Sequence, residues 1–86
     1  MVISALVVIP AADGDLLAAR LAAEPDLEVG PLQREPPALP VVLEAADPAA
    51  SRRRLDQLLA RPDVARVEVV RIDFPTSVGP TGESSP

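Results

Sequence analysis

Ala22-Ala23-Glu24-Pro25-Asp26-Leu27-Glu28-Val29 carries a helix end, a proline stop and a strand start. It has an echo 37 residues later (Pro25 to Pro62): Leu59-Ala60-Arg61-Pro62-Asp63-Val64-Ala65-Arg66. The same offset sets Leu21 on Leu58, Ala23 on Ala60 and Leu6 on Leu43. Both helix-to-strand junctions therefore fall in one register, as two equivalent β-α-β halves require. Proline ends each helix because it lacks the N–H that the next turn needs.

Working outward, Ile3 to Ile9 is a β-branched apolar run that reads as a first strand. Asp13 or Asp15 is placed to cap a helix over Leu16 to Glu24, whose Leu17, Ala18, Leu21 and Ala22 share one face. Leu27 to Leu32 is a second strand, and Gln33 to Pro40, with three prolines, is read as a connection. Val41 to Ala45 is the third strand. Asp47-Pro48 is an N-cap followed by proline at the first helical position, opening a helix to about Ala60 that buries Ser51, Leu55, Leu58 and Leu59. Val64 to Ile72 is the fourth strand. The Pro-, Gly-, Ser- and Thr-rich segment Pro75 to Pro86 reads as a disordered tail after a domain spanning 1–74. Two interleaved β-α-β halves give an α+β, ferredoxin-like βαββαβ sandwich. Its four antiparallel strands run in spatial order 4-1-3-2, with both helices on one face.

Composition narrows the chemistry. The 86 residues hold 13 acids against 8 basic residues, all arginine, with no cysteine or histidine and with Phe74 the only aromatic. Thiolate chemistry, disulfides and cysteine-ligated zinc are excluded, and the usual proton shuttle is missing. No cofactor or metal site is expected, and no enzyme. A net charge of −5 without lysine argues against nucleic acid. No apolar run reaches the ~20 residues of a membrane span. The apolar start lacks the basic flank of a secretory signal, so a cytoplasmic location is expected. A binding module is the class that remains.

Helices on one face leave the other face open, and period-two alternation assigns its lining. Leu27, Val29, Val67 and Val69 are the core sets of the second and fourth strands, which sends Glu28, Glu68, Val70 and Ile72 outward. On the third strand, Val42 and Glu44 face out. The first strand is ambiguous. Its one polar member suggests Ser4, Leu6 and Val8 as outward, whereas the opposite choice exchanges Leu6 for Val7. The resulting site is Ser4, Leu6, Val8, Glu28, Val42, Glu44, Glu68 and Val70, an apolar centre rimmed by acids that suits an apolar, cationic partner. A homodimer closed through the same face is the competing use. Arg52-Arg53-Arg54 reads as the solvated side of the second helix, and Asp13-Gly14-Asp15 lacks the remaining ligands of a calcium loop.

Ile3-Ser4-Ala5-Leu6-Val7-Val8, Pro25-Asp26-Leu27-Glu28-Val29, Val41-Val42-Leu43-Glu44-Ala45 and Val64-Ala65-Arg66-Val67-Glu68-Val69-Val70 together resemble the four strands of the NapD family. The resemblance spans Ile3 to about Ile72. It implies a cytoplasmic chaperone that binds the twin-arginine signal peptide of a molybdenum-containing periplasmic nitrate reductase. The peptide would dock as a helix on the sheet, and export would wait for cofactor insertion. The chain departs from the family in having Val70-Arg71-Ile72 where the fourth strand often ends in an aromatic-histidine pair. Its central hairpin is also longer and proline-rich. The rival class is a dimeric ferredoxin-like ligand-sensing or regulatory module without a peptide client.

Overall fold

The computed structural model describes residues 1–73, so the expected tail lies outside the described residues. The elements are β1 (Val2–Pro10), α1 (Gly14–Ala22), β2 (Leu27–Val29), β3 (Gln33–Arg34), β4 (Pro37–Ala45), α2 (Pro48–Leu59) and β5 (Val64–Asp73). The sheet is antiparallel, in order β2-β4-β1-β5, with β3 paired only to β4. With β3 set aside, this is the order expected from two interleaved halves. Among the described residues no helix is long and apolar enough to cross a membrane.

Both helices begin at side-chain caps. Asp13 Oδ1 accepts from the Leu16 N–H at 3.1 Å, and Asp47 Oδ1 accepts from the Ala50 N–H at 2.8 Å, with Pro48 at the first position. The connection expected at 33–40 is instead a hairpin. Gln33 and Arg34 pair with Ala38 and Pro37, so β4 begins four residues before Val41. Pro40 is tolerated because the pairing uses its carbonyl: the Pro40 C=O accepts from the Gly30 N–H at 2.9 Å. A Cβ on Gly30 would stand 3.0 Å from Pro40 Cγ, so glycine allows this close approach.

The core lies between the sheet and the helices. Leu6, Val8, Leu39, Val41 and Leu43 of the two central strands meet Leu17 and Leu21 of α1 and Leu58 of α2. The echo holds at the level of burial. Leu6 and Leu43 are buried together, Leu21 and Leu58 are both fully buried, and Leu27 and Val64 are each 7% exposed. Leu59, expected inside, is 53% exposed, one helical step (~100°) round α2 from the fully buried Leu58.

The two Pro-Asp junctions are ionic clamps across the halves. Arg54 of α2 donates from Nε to Asp26 Oδ2 at 2.6 Å and also binds Glu24. Asp63 accepts from Arg61 at 2.9 Å, and at 3.3 Å from Arg20 of α1. Their backbones match: the Asp26 C=O accepts from Glu44 N–H and the Asp63 C=O from Ala11 N–H, both at 3.0 Å. Arg54 is therefore no solvated residue; its side chain is 18% exposed and holds the first junction.

Leu58→Ala is expected to destabilise the fold by about 3 kcal/mol in urea unfolding, as a fully buried leucine loses both transfer energy and packing. Hydrogen bonding from Arg54 holds the Asp26 carboxyl below its ordinary range. A carboxyl depressed in the folded state stabilises above its unfolded pKa, and that contribution fades as pH falls through the folded value. Asp26→Asn should thus be less stable than wild type at neutral pH, with the gap closing below about pH 4. Paired urea curves across pH measure it.

Candidate functional site

The face away from the helices can be read row by row, because residues directly opposite in antiparallel strands share a face. Ile3, Ala5, Val7 and Ile9 of β1 alternate with the buried Val2, Leu6 and Val8, and lie half-buried on the open side. Ala5 lies between Val42 of β4 and Arg71 of β5, and Glu28 of β2 stands beyond Val42. Val7 lies between Pro40 and Glu68, and Ile3 between Glu44 and Asp73. The centre is therefore an aliphatic strip along β1 and β4, with Ala38 and Pro40 at one end. A shallow hollow of about 310 Å³ opens beside it, bordered by Ala5, Glu28, Gly30, Pro40 and Val42.

Of the residues expected to line this face, Glu28, Val42, Glu44 and Glu68 lie on it. Ser4, Leu6 and Val8 do not. They are at most 2% exposed and point under the helices, because Ser4, Leu6 and Val8 pair with Leu43, Val41 and Leu39, all inward. The open positions of β1 are the other set. The correction follows from the pairing: Leu6, opposite Val41, lies in the core shared with both helices, while Ala5, opposite Val42, goes outward. Ser4 bears the consequence, since its buried Oγ has no hydrogen-bond partner among the described residues.

The fourth-strand assignment also changes midway. The pairing with β1 skips from Leu6–Val69 to Ala5–Arg71, leaving Val70 as the extra residue of a bulge. Before it, Val67 and Val69 sit on the helix side. After it the parity reverses, so Ile72, expected outward, is opposite Ser4 and lines a groove with Val2, Ser51 and Leu55. Val70 itself is 66% exposed at the sheet edge and is not part of the central strip. Arg71, unsuspected from the sequence, takes the open-face place.

Electrostatically the two sides of the strip differ. On β5, Arg66 binds Glu68 at 2.6 Å and Arg71 binds Asp73 at 3.1 Å, so positive and negative charges cancel. On the opposite side, Glu28 and Glu44 make no ion pair among the described residues. They are diagonal neighbours across β2 and β4, which places their side chains ~7 Å apart. The surface is an apolar track with a bare acidic pair at one flank. No cluster of three or more metal-ligating side chains forms on it among the described residues.

A single layer of two helices on a four-stranded antiparallel sheet with interleaved halves is the ferredoxin-like architecture. Among solved structures the chain is similar to the solution structure of the E. coli Tat proofreading chaperone protein NapD. The TM-score is 0.71 over 96% of this chain and 87% of that one, at 23% sequence identity, and the chain therefore has a NapD-like fold. No protein-family profile and no curated protein matches the sequence.

The orphaned serine is directly testable. Ser4→Ala removes a buried hydroxyl that has lost its water without gaining a partner. It should raise unfolding free energy by about 1 kcal/mol in urea titrations.

Proposed function

We propose that this chain is a proofreading chaperone whose open sheet face binds a twin-arginine signal peptide. The observation that carries the reading is the pairing of an uncovered aliphatic strip with two unpaired glutamates on one flank only. A twin-arginine signal has the complementary form, an arginine pair followed by an apolar segment. Folded as a helix, that segment would lie along Ile3, Ala5, Val7 and Val42, with the arginines toward Glu28 and Glu44. Glu68, engaged by Arg66, plays a secondary part.

Magnitudes divide the labour. Covering ~500 Å² of apolar surface contributes ~12 kcal/mol gross at ~25 cal/mol/Å², before ordering and association costs. An exposed Arg–Glu pair adds only ~0–1 kcal/mol. The strip thus supplies affinity, and the glutamates supply direction and selection of arginine. The similarity in fold to a Tat proofreading chaperone supports this reading, and so does the family resemblance of the strands. On this reading the client is the catalytic subunit of a periplasmic nitrate reductase, retained in the cytoplasm until its molybdenum cofactor is inserted.

Calorimetric titration with a synthetic signal peptide of such a subunit, beside its Lys-Lys variant, tests the proposal. Micromolar or tighter binding that weakens with Lys-Lys is expected. Val7→Asp and Val42→Asp should abolish it in folded protein, while Glu28→Gln and Glu44→Gln should each weaken it about threefold. Undiminished binding by Val7→Asp and Val42→Asp would move the site off the sheet. Absence of any binding to folded wild type would leave the regulatory-module reading.

A further inference from the structure

β5 closes one side of the sheet, and among the described residues nothing pairs with its outer edge. It is ten residues long, and it carries three of the molecule's exposed large apolar side chains: Val69 (47%), Val70 (66%) and Ile72 (45%). Charges and a bulge on an edge strand ordinarily discourage pairing with another chain. Here their order does the reverse.

We infer that β5 is a homodimer edge, pairing antiparallel with β5 of a second copy of this chain about a two-fold axis between Val69 and Val70. That axis sets Arg66 opposite the partner's Asp73 and Glu68 opposite the partner's Arg71. Each contact occurs twice, and every charge meets its opposite. Sliding the copies by two residues puts Arg66 against the partner's Arg71 in one direction and Glu68 against the partner's Asp73 in the other. Like charges directly opposite destabilise a pair of strands.

The bulge makes this register possible. In an unbroken strand, a two-fold axis between adjacent residues would pair opposite faces of the sheet. Because parity reverses at Val70, Val67 meets the partner's Ile72 on the helix side, while all four charged residues meet on the open side. The exposed Val69 and Val70 face each other at the centre, where burial is greatest. Within each copy Arg66–Glu68 and Arg71–Asp73 already lie paired, so docking joins them into two four-charge networks. The aliphatic strip along β1 and β4 is not covered, and the inference does not depend on the peptide reading.

Sedimentation equilibrium of the full chain, from micromolar to sub-millimolar concentration, tests it. Wild type should be a dimer. Glu68→Arg and Arg71→Glu, each confirmed as folded by circular dichroism, should raise the dissociation constant about tenfold or more. An equimolar mixture of the two should dimerise again, because each variant carries a single sign at both positions and the other carries the opposite one. Arg66→Glu and Asp73→Arg repeat the test on the outer pair. A monomeric wild type overturns the inference, as does a dimer indifferent to these changes or a mixture that stays monomeric.

Discussion

The register of β1 against β4 is the constraint on which the rest of the structure depends. With Leu39, Val41 and Leu43 turned toward the helices, their partners Val8, Leu6 and Ser4 must follow. A slip of one residue would exchange every side chain between core and open face. The chosen register puts Leu6 under α1 and α2 and accepts an unpartnered Ser4 hydroxyl. Val2, Leu6 and Val8 are then buried together, and the unpartnered Ser4 hydroxyl costs ~1–3 kcal/mol. The same choice leaves Ile3, Ala5, Val7 and Ile9 half-buried on the far side.

Charge placement follows from how the halves are joined. Arg20, Arg54 and Arg61 are engaged at the two Pro-Asp junctions, and Arg34 ties the hairpin to Asp15 of α1 at 2.9 Å. Arg66 and Arg71 are engaged within β5, and Arg52 approaches Asp56 on α2. Little cationic charge is left over for the sheet. The acidic excess of the chain therefore surfaces where no arginine reaches, and on the open face that means Glu28 and Glu44. That acidic flank is what remains after the junctions have been neutralised.

The sequence made the architecture legible because its signals are local and repeated: Asp caps, prolines after helices, and a Pro-Asp echo that set both junctions. The face assignment of β1 was harder, because Ile3 to Ile9 is aliphatic on both sides and gives no alternation to read. A usable signal lay in the echo itself. It sets Leu6 on Leu43, and with Val42 and Glu44 outward the alternation turns Leu43 inside. Serine's polarity pointed the other way, and the pairing of Ser4 with the inward Leu43 overrode it. In β5 the charged positions change parity between Glu68 and Arg71, which is the mark a bulge leaves in a sequence. Strict alternation carried past Val70 misplaced Ile72 and overlooked Arg71. The hairpin at 33–40 was hidden because proline discourages strand assignment, yet a strand that pairs through proline carbonyls can accept it.

One irregularity thus shapes both outer surfaces of β5. By reversing parity, the bulge at Val70 brings Arg71 and Asp73 to the face that Arg66 and Glu68 already occupy. Two compensated pairs result, where regular alternation would have turned Arg71 and Asp73 toward the helices. That compensation leaves the open face acidic on one flank and neutral on the other. Along the edge, the same parity reversal makes the charge order read as its own complement. An edge strand usually avoids partners by carrying charge. A strand whose charges are antisymmetric about its midpoint rejects most partners and registers and accepts its own copy in one.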